Sequence, residues 1–199
     1  MTESTIVFAG DSVTDCGRRE DPRRLGDGYV RLLADAHPGA RILNRGVSGD
    51  RVRDLRARWP RDVLDERPAL VSILIGVNDT WRRYDSDDPT AVEAFESDYR
   101  AIVEPLAASG TRLVFVEPFL LPVNEYQSRW REDLDPKIDA VHRLAAEFGG
   151  TLVAADAGLR ARGSAADLAP DGVHPNIAGH LELARLWDKS AGGMLADLV

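Results

Sequence analysis

Runs of apolar residues recur along the chain at regular intervals, each closed by glycine or polar punctuation and followed by a helical period. The runs predict strands at Thr5–Ala9, Arg41–Asn44, Leu70–Ile75, Leu113–Glu117 and Thr151–Ala154. Between and after them the pattern predicts helices at Gly28–Ala36, Val52–Asp65 with a break near Pro60, Ala91–Ala108, Pro136–Phe148 and Ile177–Leu198. The third of these is the clearest. Val92, Phe95, Tyr99, Ile102, Val103 and Leu106 follow the three- and four-residue steps of one helical face. Strands alternating with helices predict an α/β fold whose parallel sheet is covered on both faces. The polar stretches Gly17–Asp27, Arg82–Pro89 and Arg160–Gly172 read as surface loops, and no internal repeat is visible.

At 199 residues the chain is long enough for one sizeable core, so a single domain over residues 1–199 is expected. The 25 basic against 33 acidic residues leave a net charge of −8, which argues against nucleic acid or an anionic membrane as a main partner. The basic charge is almost all arginine, Lys137 and Lys189 being the exceptions. Arg18, Arg19, Arg23 and Arg24, interleaved with acids, read most simply as a solvated loop. Cys16 is the one cysteine, which excludes an internal disulfide framework, and it reads as a small buried or half-buried residue. With no basic, apolar leader and no run near the ~20 apolar residues of a membrane span, the chain is expected in the cytoplasm.

In an open parallel sheet, ligands bind beyond the carboxyl ends of the strands. The segments leaving those ends therefore carry the candidate chemistry. The first strand leads into Gly10-Asp11-Ser12, the second into Asn44-Arg45-Gly46-Val47-Ser48-Gly49-Asp50, the third into Gly76-Val77-Asn78-Asp79, and the fifth, after its loop, into Asp171-Gly172-Val173-His174-Pro175. Acyl transfer needs a nucleophile, a base, a group to orient the base, and donors for a developing oxyanion. Ser12, His174 and Asp171 can fill the first three roles. The N–H groups of Ser12 and Gly49 and the carboxamide of Asn78 can fill the fourth, each donor being worth about 3 kcal/mol in comparable sites. Each residue alone has a plainer account: Ser12 as a helix N-cap, Gly49 and Asn78-Asp79 as turn residues, Asp171 and His174 as an Asx turn with a surface histidine. Their complementary roles on one rim favour the chemical account. Ser48 is a rival nucleophile that reads better as a loop hydroxyl. His37, His142 and His180 are explained by packing or solvation. No cluster has metal-ligand spacing, and no cofactor is indicated.

These four blocks, in order from residue 8 to residue 175, resemble the SGNH hydrolases, the GDSL-type esterases. The resemblance implies a flavodoxin-like three-layer α/β/α sandwich with a five-stranded parallel sheet. It implies Ser12 as nucleophile, His174 as base, Asp171 as its partner, and Gly49 and Asn78 with Ser12 as the oxyanion hole. Val13, where many members have leucine, is expected to face the core. A narrower likeness is to the intracellular acetylxylan esterases, carried by Asp11-Ser12-Val13-Thr14-Asp15-Cys16-Gly17, by Ser48 to Trp59, and by Gly76 to Asp85. That branch removes acetyl groups from xylo-oligosaccharides. Trp81 and Tyr84 would then bound a sugar ring, with Asp11 a further substrate contact. Some sugar esterases carry an aromatic before the catalytic aspartate, where Pro170 stands here. The expected partner is a small ester, an acetylated sugar, and a homo-oligomer is left open. The alternatives are a lysophospholipase, arylesterase or thioesterase of the same fold, a phosphate- or flavin-binding module, which Asp11 and Asp15 disfavour, and a catalytically silent carbohydrate binder.

Overall fold

The computed structural model describes residues 4–198. In chain order its elements are β1 (Thr5–Gly10), α1 (Ser12–Asp15), α2 (Tyr29–Ala36), β2 (Arg41–Gly46), α3 (Val52–Asp62), β3 (Leu70–Leu74), α4 (Val77–Asp85), α5 (Val92–Ala108), β4 (Arg112–Val116), α6 (Glu125–Ser128), α7 (Arg131–Glu147), β5 (Thr151–Val153), α8 (Ala155–Arg162), α9 (Ala165–Leu168) and α10 (Ile177–Ala196). The five strands pair in parallel in the order β2-β1-β3-β4-β5. With helices on both faces this is the three-layer α/β/α sandwich, with a five-stranded parallel sheet, that the resemblance implies.

Alternation along β1 builds both layers at once. Ile6 and Phe8 face one core with Tyr29, Leu33, Leu159, Leu183 and Trp187 of α2, α8 and α10. Val7 and Ala9 face the other with Leu55, Trp59, Phe95, Tyr99, Val141 and Leu144 of α3, α5 and α7. Every residue of β1 and β3 is buried, as for central strands of a doubly covered sheet, whereas edge strand β2 alternates between covered and open positions. Chain order reverses between β1 and β3, so the crevice beyond their carboxyl ends is where a ligand belongs.

Several boundaries differ from those the pattern predicts. No break occurs at Pro60: α3 runs through it and stops at Asp62. The one missing hydrogen bond falls between Arg56 and Pro60, both on the exposed face, where water can serve the carbonyl. Helix α7 likewise starts before Pro136, at Arg131. Helix α4 replaces a stretch read as turn and loop; Val77, Trp81 and Tyr84 share one face and pack with Trp130, Leu134 and Val173 in a third apolar cluster at the rim. The predicted loop Arg160–Gly172 contains the end of α8 and all of α9. Arg18 is not solvated, because its Nε donates to the Gly46 carbonyl beside Asp15. Val13 does face the core.

Candidate active site

The first βα turn is built around a glycine. A Cβ on Gly10 would lie 2.2 Å from the Leu74 carbonyl oxygen and 2.5 Å from Thr14 Oγ1, so only glycine lets α1 start this close to the sheet. The N-cap of α1 is Asp11, not Ser12: its Oδ1 accepts the Val13 N–H at 3.0 Å. That leaves the Ser12 hydroxyl free. It points to the other end of the chain, where Ser12 Oγ lies 2.9 Å from His174 Nε2.

His174 is oriented locally. Asp171 Oδ1 accepts the backbone N–H groups of Val173 and His174 at 2.9 and 2.7 Å, and Oδ2 accepts Nδ1–H of the His174 ring at 2.6 Å. A carboxylate can only accept, so Nδ1 carries the proton and Nε2 is left as the acceptor for the serine hydroxyl. Partial burial would raise the Asp171 carboxyl, but these three donors outweigh it and hold the group below the ordinary carboxylate range. The loop hangs from its surroundings by two bonds, Gln127 Nε2 to the Asp171 carbonyl at 2.7 Å and Leu121 N–H to the Gly172 carbonyl at 2.9 Å. Gln127 is invisible to sequence reasoning; the contact spans 44 positions and no local pattern announces it.

The other two donors expected from the sequence lie in the segments that follow β2 and β3. Gly49 has φ +87°, and a Cβ there would meet no atom within 4 Å, so the backbone conformation demands glycine while the space above it is open. Among the described residues neither its N–H nor that of Ser12 has an acceptor. Asn78, buried, donates from Nδ2 to the Asp50 carbonyl at 3.0 Å, which orients the amide and leaves its second hydrogen free. Ser48 is tied down, its N–H and Oγ both donating to Asp15 Oδ2. It is a loop hydroxyl.

Two carboxyls lie beneath. Asp11 is 1% exposed and turned into the helix cap, not out toward the rim where the sequence reading expects a substrate contact. Burial pushes its carboxyl up to about 7 despite the Val13 N–H. Asp79, fully buried, accepts the Val52 N–H at Oδ2 while Oδ1 has no partner, and burial pushes it to about 7 as well. Trp81 comes within 5.9 Å of the His174 ring, centroid to centroid. Tyr84 stands further out, stacked on Trp130 at 5.2 Å with its hydroxyl donating to the Arg129 carbonyl. Val13, Val77 and Val173, each next to a rim residue, turn inward with Phe119 and Asp11 around a void of about 10 Å³, room for one water. His180 is buried, accepting the Tyr29 N–H and lying 3.4 Å from Cys16 Sγ; burial drops its imidazole to about 4, and it takes no part at the rim. His142 and His37 pair with Glu117 and Asp188. Among the described residues no group of three or more His, Cys, Asp or Glu is placed to hold a metal ion, and no helix is long and apolar enough to cross a membrane.

Comparison with known proteins shows the family. The GDSL-like lipase/acylhydrolase family matches residues 8–181. An acetylxylan esterase of Geobacillus stearothermophilus is 37% identical over 206 residues, covering 94% of this chain and 93% of that protein. The crystal structure of Axe2, an acetylxylan esterase from Geobacillus stearothermophilus, superposes with a TM-score of 0.84 at 35% identity, over 94% of this chain and 93% of that one. Two further Axe2 structures, in which a histidine and a serine are replaced by alanine, are described as catalytic mutants. A GDSL-like lipase from Parabacteroides merdae gives a TM-score of 0.87 at 34% identity, with 96% of each chain covered.

Proposed function

This chain belongs to the GDSL-like lipase/acylhydrolase family and is a carboxylic ester hydrolase; from that premise we propose that it deacetylates acetylated xylo-oligosaccharides, as one SGNH domain, through a Ser12-His174-Asp171 triad. The observation that carries the reading is the unbroken relay, Ser12 Oγ to His174 Nε2 at 2.9 Å and His174 Nδ1 to Asp171 Oδ2 at 2.6 Å. Ser12 Oγ attacks the acetyl carbonyl carbon as Nε2 takes its proton. Asp171 stabilises the imidazolium that forms, and the N–H groups of Ser12 and Gly49 with the Asn78 amide receive the oxyanion. Collapse breaks the bond to the sugar oxygen, which leaves with the proton from Nε2. Water, deprotonated by the same nitrogen, then attacks the acetyl-enzyme and releases acetate.

The choice of an acetyl sugar leans on the likeness to a relative, 37% identical, that is named an acetylxylan esterase. Trp81, half-buried beside His174, offers an apolar ring face on which the sugar side of the ester could rest, with Tyr84 behind it. Acetate release from acetylated xylo-oligosaccharides, measured beside p-nitrophenyl acetate, p-nitrophenyl octanoate, a lysophospholipid and an acyl thioester, tests the reading. Acetyl substrates should be the fastest. Faster turnover of the octanoyl, lysolipid or thioester substrate would move the enzyme to the lysophospholipase, arylesterase or thioesterase alternative. Failure of a fluorophosphonate probe to label Ser12 would remove the triad altogether.

A further inference from the structure

We propose that Arg58 is a positioning residue that holds the three oxyanion donors in register. The inference rests on the reading that Ser12, Gly49 and Asn78 supply those donors. From the middle of α3 the Arg58 side chain, 11% exposed, reaches inward and spends its guanidinium on four acceptors from separate segments. Nη2 donates to the Gly10 carbonyl at 3.1 Å, two residues before Ser12. Nε donates to Asp50 Oδ2 at 2.6 Å, one residue after Gly49. Nη1 donates to the Arg45 carbonyl at 2.7 Å, at the end of β2, and to Asp62 Oδ2 at 3.0 Å.

Asp50 is the hinge of the arrangement. Its carboxylate is held by Arg58 and its carbonyl receives the Asn78 amide, so one residue passes the constraint from the arginine to both Gly49 and Asn78. The Gly10 carbonyl passes it to Ser12, helped by the Val47 N–H at 3.0 Å. Oxyanion donors act only when they are aimed before the charge develops, to within about 0.5 Å. Three loops from three strands have no reason to agree to that tolerance without a common anchor. A planar fork with five N–H donors can be that anchor; an ammonium, a compact charge with three donors, can serve part of the set but not all of it. Arg58 does not touch the substrate position itself.

The test measures kcat and KM for p-nitrophenyl acetate in Arg58→Met and Arg58→Lys, alone and combined with Asn78→Ala, well below the unfolding transition of each variant, with Ser12→Ala beside them. Arg58→Met should lower kcat by about 10- to 100-fold with KM changed by less than about threefold, and Arg58→Lys should fall between it and wild type. Combined with Asn78→Ala, the loss from Arg58→Met should be smaller than in the wild-type background, because part of what the arginine aims is already gone. An Arg58→Met enzyme that is folded and keeps kcat, that changes only KM, or whose loss multiplies fully with that of Asn78→Ala overturns the proposal. Should Arg58→Met fail to fold, Arg58→Lys and Asp50→Asn are judged by the same criteria. Activity retained by Ser12→Ala, or an unchanged kcat in Asn78→Ala, would instead bring down the underlying assignment of the donors.

Discussion

The two halves of this site are held in opposite ways. On the Ser12 side, Gly10, Gly49 and Asn78 are tied through buried or nearly buried polar side chains: Asp11 caps α1, Asp79 holds the start of α3, and Arg58 bridges β1, β2 and the Gly49 loop. On the His174 side, the imidazole and the Asp171 carboxylate are 44% and 50% exposed, and the loop is secured mostly by hydrogen bonds within itself. The difference matches the work each half is proposed to do. Oxyanion donors must not reorient when charge appears, which favours a dry and heavily constrained setting. A base that exchanges protons with a leaving group and then with water needs access to both.

The electrostatics divide the same way, with opposite signs. Burial raises Asp11 and Asp79 to about 7, whereas hydrogen bonds lower Asp171 in spite of partial burial. The buried half therefore favours protonated carboxyls and the open half an ionised one.

The hardest blow to the comparison comes from the relay itself. Ser12→Ala and His174→Ala should each cut ester turnover by about 10⁴-fold or more while circular dichroism remains that of the wild type. Asp171→Asn should cost about 10³- to 10⁴-fold in kcat. The asparagine oxygen can still accept the two backbone N–H groups, but Nδ1 then faces an amide donor and the ring is left in the wrong tautomer. A loss of less than tenfold would show that another acceptor orients His174.

Gln127→Ala should lower kcat by about tenfold, because it frees the Asp171 carbonyl from the one side chain that anchors the loop to α6. A similar loss in stability with unchanged kcat would make Gln127 a fold contact only. The smallest effect sharpens the electrostatic contrast. For Asp79 the folded carboxyl titrates near 7 against an ordinary value of 3.8, so between those values the folded state binds more protons than the unfolded state. That part of the stability is fully present below about 4 and is lost as pH rises to about 7. Asp79→Asn should flatten this slope in denaturant midpoints taken across that range, and an unchanged slope would mean that Asp79 is ionised throughout. Asp171 runs the other way, its contribution being lost as pH falls below the ordinary carboxylate range.

Much of this was legible before any coordinates. The strand runs lie within two residues of the observed strands, since a buried strand needs an unbroken apolar stretch and that is a local property. The Asp171–His174 pair was legible for a similar reason: a three-residue separation is enough for an Asx turn that brings a carboxylate to Nδ1. In α4 the local signals conflict: Val77, Trp81 and Tyr84 make a helical stripe, while Asn78-Asp79 within it also suits a turn.

By itself, then, the amino-acid order determined the alternation of strand and helix, the rim on which the polar blocks gather, and the chemical type of each candidate, because periodicity and turn chemistry act over a few residues. Only the tertiary structure decided that Asp11 turns inward while Ser12 turns out, that Pro60 and Pro136 are absorbed into helices, and that Arg58 and Gln127 reach the site. Those outcomes depend on which distant backbone groups come to lie opposite a side chain once the layers have packed. A carbonyl 48 positions away leaves no mark beside the arginine that will bind it.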